Sequence, residues 1–224
     1  MLILALDSAL NGCSVALCDR ASGEVLSARL QEMERGQAEV LPNMVDAVMM
    51  DADDPYDKLA FVAVSRGPGS FTGVRISLAF ARALGVTLEI PVTSMTTLEA
   101  LARNVADNPE RLPVAAVIDA RRDEVYIQAF EADMAPINEP AVLPVAAAAA
   151  HLPPGPCLLV GSAARLLADE AAGRVVAADA RPLPLAEVIA LHAPIEPAPA
   201  GLPEPLYLRP PDARPQGPLA NMDK

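Results

Sequence analysis

The first part of the chain has the hydrophobic pattern of three short strands. Residues 2–6, 13–19 and 24–30 are rich in aliphatic side chains. The dipeptides Asn11-Gly12 and Ser22-Gly23 separate these runs, and both suit tight hairpin turns. The pattern therefore predicts two β-hairpins in succession.

Helical periodicity replaces this pattern after residue 37. Within residues 38–50 the apolar side chains recur every three or four positions, and Pro42 lies near the first turn, where a helix tolerates proline. Residues 59–65 are continuously apolar, as expected for a strand buried on both faces. A glycine-rich turn then leads into a predicted helix over 74–84. A predicted strand over 86–92 and a predicted helix over 96–104 follow, and Ser94 is the expected N-cap of that helix.

The same kind of pattern restarts after residues 107–109. An apolar strand over 114–118 ends in Asp119, and residues 124–130 alternate like a half-buried strand. Further on, the pattern predicts helices over 146–151, 163–172 and 185–192 and a strand over 157–161.

Proline content distinguishes the end of the chain. Nine prolines occur from Pro194 onward, which predicts an extended or flexible tail without packed secondary structure. The chain should therefore contain an N-terminal half (1–108), a C-terminal half (109–193) and a tail (194–224).

The restart predicts the fold class. A strand, an aspartate, a turn and a second strand occur around Asp7 and again around Asp119. Two copies of a βββαβα unit give an α/β fold of two ribonuclease-H-like halves with a cleft between them. This is the architecture of the actin-like ATPases (ASKHA).

Composition narrows the classes of function. The chain has 224 residues, 52% of them hydrophobic and only 3% aromatic, and its formal net charge is -12. Such an acidic chain is not expected to bind nucleic acid strongly by itself, although Arg66, Arg75, Arg121 and Arg122 could form a local basic patch. We expect no membrane span, no signal peptide and, from three scattered cysteines, no disulfide framework. These features predict a cytoplasmic protein.

Four short stretches are candidates for a nucleotide cleft, each with a simpler structural interpretation. In actin-like ATPases an Asp at the position of Asp7 organises Mg²⁺ beside a phosphate-binding turn. Here Leu10 replaces small residues in that turn, and the turn after Asp119 has arginines instead of glycine. We favour structural turns, with phosphate chemistry weakened or lost. The residues of this candidate vestigial cleft are Asp7, Ser8, Gly67, Gly69, Asp119 and Gly161.

The helix over 38–50 has a second candidate role. Its apolar stripe is wider than one sheet face needs, and methionines suit adaptable contacts. Both a helix-pair interface with another subunit and ordinary packing on its own sheet explain this stripe.

Four motifs together resemble the bacterial TsaB (YeaZ) family. They are Leu4-Ala5-Leu6-Asp7-Ser8, the stretch from Gly67 to Ile76 (GPGSFTGVRI), Asp119-Ala120-Arg121-Arg122-Asp123 and Pro205-Leu206-Tyr207-Leu208-Arg209. The resemblance implies a non-catalytic subunit in the formation of threonylcarbamoyladenosine in tRNA, at the adenosine 3′ of the anticodon.

The resemblance also implies partners. TsaD would form a heterodimer with this chain, TsaE would join the assembly, tRNA would be contacted only through the complex, and the chain alone would be a homodimer. ATP and metal would be bound by the partner subunits, with no cofactor or catalytic residue on this chain. The implied pairing helices, 38–50 and 74–84, place these residues at the interface: Leu41, Met44, Val45, Val48, Phe71, Val74, Arg75, Leu78 and Arg82.

The start of the first helix agrees with a non-catalytic role. The catalytic relative needs a His-x-x-x-His metal pair there, whereas this chain has Arg35-Gly36-Gln37 followed by no histidine. His151 and His192, the two histidines of the sequence, have no partners at metal-ligand spacing. Two alternatives remain: an ATP-binding enzyme that uses Asp7 and Asp119, and a glycoprotease-like peptidase.

Overall fold

Two five-stranded sheets form the frame of the molecule in a computed structural model, which describes residues 1–52, 56–105, 108–170, 175–177, 180–195 and 202–209. The first sheet has the order β3-β2-β1-β4-β5 and the second the order β10-β9-β6-β7-β8. The strands of the first sheet are β1 (Leu2–Asp7), β2 (Gly12–Asp19), β3 (Glu24–Glu32), β4 (Leu59–Ser65) and β5 (Val92–Met95). Those of the second are β6 (Val114–Arg121), β7 (Glu124–Phe130), β8 (Ala141–Pro144), β9 (Cys157–Val160) and β10 (Val175–Ala177).

The two sheets repeat one topology. In the first, β1 pairs antiparallel with β2 and parallel with β4. In the second, β6 pairs antiparallel with β7 and parallel with β9. The predicted α/β fold with two equivalent halves is therefore confirmed, and β1 and β6 occupy equivalent central positions. The strand β1 ends at Asp7, whereas β6 continues two residues beyond Asp119 to Arg121.

Helices cover the sheets and join the halves. They are α1 (Gln37–Asp51), α2 (Phe71–Leu88), α3 (Thr97–Arg103), α4 (Val145–Ala148), α5 (Ala164–Glu170) and α6 (Ala186–His192). The helices α1 and α2 pack on one face of the first sheet, where their aliphatic side chains share a core with β1, β2 and β4.

The helices α3 and α6 lie between the two sheets. Ile189 of α6 packs with Ile3 and Ala63 of the first sheet, although α6 follows the second sheet in the chain. Leu98 and Leu101 of α3 pack with Ile118 of the second sheet, although α3 precedes that sheet. Each half therefore contributes a helix to the core of the other, which couples the halves. The division at residue 108 stays a prediction.

The helix α2 is longer than its hydrophobic pattern predicted. It begins at Phe71, where the Ser70 hydroxyl accepts a hydrogen bond from the Gly73 amide at 3.3 Å, and it continues to Leu88. The predicted strand over 86–92 is therefore wrong, because its first residues extend the helix and β5 begins only at Val92. The aliphatic residues in the last turn of α2 fit the hydrophobic pattern of a strand as well as that of a helix.

Other element predictions differ in smaller ways. Thr96, and not Ser94, caps α3, because its hydroxyl accepts a hydrogen bond from the Glu99 amide at 3.0 Å, while Ser94 pairs with Val64 inside the sheet. The short edge strands β8 and β10 were not predicted. Cys13 and Cys18 lie on opposite faces of the first sheet, in two different core clusters.

The described part of the proline-rich tail contacts the body of the protein. Residues 202–209, here named the C-terminal strap, have neither helix nor strand, as predicted. The Leu206 amide nevertheless donates a hydrogen bond to the Arg66 carbonyl at 2.7 Å, and Arg209 forms an ion pair with Glu124 of β7. The rest of the predicted tail, 196–201 and 210–224, lies outside the described residues.

Candidate functional site

Asp7, the first candidate for the nucleotide cleft, is buried at the end of β1. Its side chain is only 2% exposed. The Ser65 hydroxyl, at the end of β4, donates to one carboxylate oxygen, and the Ala9 amide donates to the other at 3.3 Å. Burial raises the pKa of Asp7 from 3.8 to about 7, against the opposing effect of these two hydrogen bonds. The carboxyl thus ties two strand ends together inside the protein.

The glycine-rich loop packs directly on the turn that follows Asp7. The Ser70 amide donates to the Ala9 carbonyl at 2.7 Å, and the Ser8 hydroxyl donates to the Gly73 carbonyl at 2.8 Å. A Cβ atom on Gly73 would lie 2.0 Å from the Ser8 carbonyl oxygen, and one on Gly69 would lie 2.4 Å from that of Ala9. These glycines are therefore required by backbone packing, which agrees with the structural interpretation of the loop.

Gly67 is the third glycine of this loop that backbone packing requires. Its φ of 98° is in the left-handed region, and a Cβ atom there would lie 3.0 Å from the Leu206 carbonyl oxygen of the C-terminal strap. The Gly67 carbonyl accepts a hydrogen bond from the Thr97 amide at 2.8 Å. Gly67 thus joins the loop to α3 and to the strap.

Asp119 and Gly161 form a separate group in the second half. Asp119 is exposed and accepts a hydrogen bond from the Arg121 amide at 2.7 Å, while its own amide donates to the Ser162 hydroxyl at 3.0 Å. Gly161 has a φ of 110°, and a Cβ atom there would lie 2.3 Å from the Val117 carbonyl oxygen. This group closes the turn between β9 and α5 against β6.

Apolar side chains occupy the turn where a phosphate would need polar contacts. Leu10 packs against the core of the second half, and a methyl group of Leu183 lies 2.9 Å from the Cβ position of Gly12. With Asp7 buried as well, these residues do not fit the Mg²⁺–nucleotide group that the fold class implies. Among the residues that the structure describes, no group of three His, Cys, Asp or Glu side chains could hold a metal ion.

Six of the nine residues predicted at the partner interface lie in the core of the chain itself, which corrects their assignment as surface contacts. Each is at most 7% exposed. The broad stripe of α1 is explained by packing on the sheet and on α2, so the simpler interpretation of that stripe holds for these positions. The six buried residues are Leu41, Met44, Val45, Val48, Val74 and Leu78.

The helices α1 and α2 also carry apolar residues that are exposed. Met50 of α1 is 80% exposed and Val86 of α2 is 68% exposed. Ala79 and Ala83 are also exposed, and with Val86 they follow one face of α2 at intervals of four and three residues. The hydrophobic pattern alone did not distinguish this face. Its signal is a second apolar spacing, at residues 79, 83 and 86, in addition to the spacing of the buried residues.

Phe71, Arg75 and Arg82, the other three predicted interface residues, lie outside the core. Phe71 is 59% exposed and Arg75 is exposed. Arg75 stacks on the Phe71 ring, with its Cζ atom 3.6 Å from the ring centroid. The Arg82 guanidinium donates hydrogen bonds to the Pro203 carbonyl. All three therefore lie at or beside the C-terminal strap.

Comparison with protein families matches the chain to a tRNA-modification family. Residues 31–165 match the profile described as "TsaD: tRNA N6-adenosine threonylcarbamoyltransferase". The chain belongs to the TsaD/YeaZ (TsaB) family. The matched segment begins before α1 and extends through α2 into the second half, so it contains the whole exposed helical face.

Relatives from bacteria support this membership. An uncharacterised protein of Mycobacterium tuberculosis is 35% identical over 95% of this chain and 94% of its own length. The protein named tRNA threonylcarbamoyladenosine biosynthesis protein TsaB of Escherichia coli is 33% identical over 59% of this chain and 56% of its own length.

Solved structures agree on the family and the fold. YeaZ from Pseudomonas aeruginosa superposes with a TM-score of 0.74 at 32% identity, covering 85% of this chain and 89% of that one. An activator of 2-hydroxyisocaproyl-CoA dehydratase from Clostridium difficile, solved with bound ADPNP, has a TM-score of 0.50 at 9% identity, covering 85% of this chain and 93% of that one. That second likeness concerns the fold alone, and it confirms the predicted actin-like (ASKHA) class.

The apolar composition of α2 has a structural explanation. This helix is long and apolar enough to meet a length and composition test for a membrane span, with 33% of it buried. Its Val74, Leu78 and Ala81 are buried in the core with α1 and the first sheet. The helix is therefore a core helix of this fold.

Proposed function

We propose that this chain is a non-catalytic subunit for threonylcarbamoyladenosine formation in tRNA, which acts by pairing with TsaD in the cytoplasm. The observation that carries the proposal is the exposed apolar face of α2, formed by Ala79, Ala83 and Val86. Met50 of the neighbouring helix α1 is exposed as well. Exposed apolar side chains grouped on one face are typical of protein interaction sites. The expected partner, TsaD, follows from the family to which the chain belongs.

The state of the cleft supports a non-catalytic role. The glycine-rich loop packs on the turn that follows Asp7, and Leu10 of that turn packs against the core of the second half. Chemistry would then reside in TsaD, ATP and metal would be bound by partner subunits, and TsaE and tRNA would meet this chain in the assembly. The chain alone would use the same face to form a homodimer. No observation favours the ATP-dependent enzyme or the peptidase.

A pair of matched substitutions tests the pairing face. We expect Val86→Glu to weaken binding to TsaD at least tenfold, because it places a charge in an apolar contact. Leu166→Glu is the control, because Leu166 is 51% exposed on α5 in the other half. Isothermal titration calorimetry with the full chain measures both affinities. Equal binding by wild type and Val86→Glu would contradict the proposed face.

A further inference from the structure

A guanidinium group contacts two neighbouring aromatic rings where α2 meets the C-terminal strap, and the two ring centroids are 5.8 Å apart. The Cζ atom of Arg75 is 3.6 Å from the ring centroid of Phe71 and 5.7 Å from that of Tyr207. The Arg75 Nε group also donates a hydrogen bond to the Tyr207 hydroxyl at 2.8 Å. Stacking and this hydrogen bond fix the plane of the guanidinium.

Both rings of this arrangement are exposed. Phe71 is 59% and Tyr207 48% exposed, in a chain with only four Phe, three Tyr and no Trp. Aromatic side chains and Arg are the residue types that most often dominate binding energy at protein interfaces. The placement of two scarce rings on the surface around one Arg therefore points to a contact with another molecule.

The C-terminal strap holds Tyr207 in place from both sides. Before Tyr207, the Pro203 carbonyl accepts from the Arg82 guanidinium, and the Leu206 amide donates to the Arg66 carbonyl. After it, Arg209 pairs with Glu124. The arrangement of Phe71, Arg75 and Tyr207, here named the Arg75 clamp, is consequently formed before a partner binds, which lowers the entropic cost of binding.

Among the described residues, the positive charge of Arg75 is not paired with an acidic side chain. No acidic residue occurs from Phe71 to Leu88, and within the described residues no carboxylate forms an ion pair with Arg75. The guanidinium retains N–H groups beyond Nε, arranged in a fork that matches a carboxylate.

We propose that Arg75, stacked on Phe71 and hydrogen-bonded to Tyr207, is the charged anchor of the pairing face and binds a carboxylate of TsaD. This inference rests on the proposed function. Phe71, Arg75, Ala79 and Ala83 are spaced four residues apart, so the Arg75 clamp continues the exposed apolar stripe of α2. The matched profile is that of TsaD itself, so the partner shares this fold and can meet the face with its own equivalent helices.

The charge of the chain favours a protein partner over RNA. The net charge of -12 opposes binding to phosphates at long range, whereas a single stacked Arg beside apolar side chains matches the composition of a protein interface. The strap therefore becomes part of the pairing surface, because it supplies one of the two rings.

The affinity of the full chain for TsaD tests this anchor. We expect Arg75→Ala to weaken binding at least tenfold, and Arg75→Lys to weaken it nearly as much, because an ammonium group keeps the charge without the planar fork. Tyr207→Ala should weaken binding in the same direction, and Tyr207→Phe, which removes only the hydroxyl, by a few-fold. Arg165→Ala, on the exposed surface of α5, is the control. Circular dichroism confirms that each variant is folded.

Salt dependence gives a readout that lost packing would not change. The affinity of the wild type should fall with rising salt more steeply than that of Arg75→Ala, because the ion pair is screened. Equal slopes for the two proteins would overturn the assignment of a carboxylate.

The outcomes separate the anchor from the pairing proposal. If Arg75→Ala binds TsaD normally while Val86→Glu does not, the anchor is wrong and the pairing face stands. If both bind normally, the pairing face itself is wrong. A loss confined to self-association of the chain, or to binding of an oligouridylate RNA probe, would overturn the anchor in favour of a second copy or of RNA.

Discussion

At the residue scale, burial strongly raises the pKa of the Asp7 carboxyl. The side chain is 2% exposed and receives hydrogen bonds from Ser65 and Ala9, yet burial raises its pKa from 3.8 to about 7. A folded-state pKa above the unfolded value means that this group favours folding most below about pH 4. Its contribution declines as the pH rises towards 7 and changes little above that.

Replacing this carboxyl by an amide should therefore stabilise the protein at alkaline pH. We expect Asp7→Asn to raise the free energy of unfolding at pH 8, by up to roughly 4 kcal/mol, because each pKa unit corresponds to about 1.4 kcal/mol. The amide can accept from Ala9 and donate to the Ser65 hydroxyl. Urea denaturation of both proteins at pH 5 and pH 8 measures the effect. A difference that does not grow between these pH values would show that Asp7 is not a buried acid.

At the element scale, α2 has two apolar faces with different tasks. Val74 and Leu78 are 2% exposed and pack with α1 and the first sheet, whereas Val86 is 68% exposed. The spacing of apolar residues along α2 does not separate the two faces, since both recur at three or four positions. Burial in the folded chain separates them.

The two faces should respond differently to a carboxylate. We expect Leu78→Asp to lower the free energy of unfolding by about 3 kcal/mol or more, because it removes a buried side chain and buries an unpaired charge. Val86→Glu should change stability by no more than about 0.5 kcal/mol, as at other surface positions. Thermal melts followed by circular dichroism compare the two variants. Similar melting of Leu78→Asp and wild type would contradict the assignment of Leu78 to the core.

Sequence patterns predicted the elements where periodicity and length were unambiguous. The strand Leu59–Ser65 and the strand Glu124–Phe130 have the predicted bounds. The patterns failed where competing structures share a pattern: Val86 and Leu88 extend a helix that the left-handed Glu89 ends.

The candidate site was less predictable because it depends on contacts between distant segments. The resemblance to the family named Phe71 and Arg75, but only the folded chain places Tyr207 against them, 132 residues beyond Arg75. The fit of Gly73 against Ser8 and the packing of Leu10 into the second half are likewise tertiary contacts. Local propensity carries no information on such pairs.

At the scale of the whole molecule, three connections join the halves. The helix α6 packs on the first sheet and α3 on the second, and the C-terminal strap runs from α2 to Glu124 of the second sheet. Packed side chains therefore join the two halves directly. Halves joined in this way, with an exposed apolar face on α2, suit the proposed pairing subunit.

Reconstituted tRNA modification tests the central claim most directly. TsaD, TsaE, ATP, threonylcarbamoyl-adenylate and tRNA are incubated with and without the full chain, and modified adenosine is quantified by mass spectrometry. The account predicts modification that requires the chain, persists with Asp7→Asn and is lost with Val86→Glu. Modification at the same rate without the chain would contradict the proposed function, and its loss with Asp7→Asn in a folded protein would return the chemistry to the cleft.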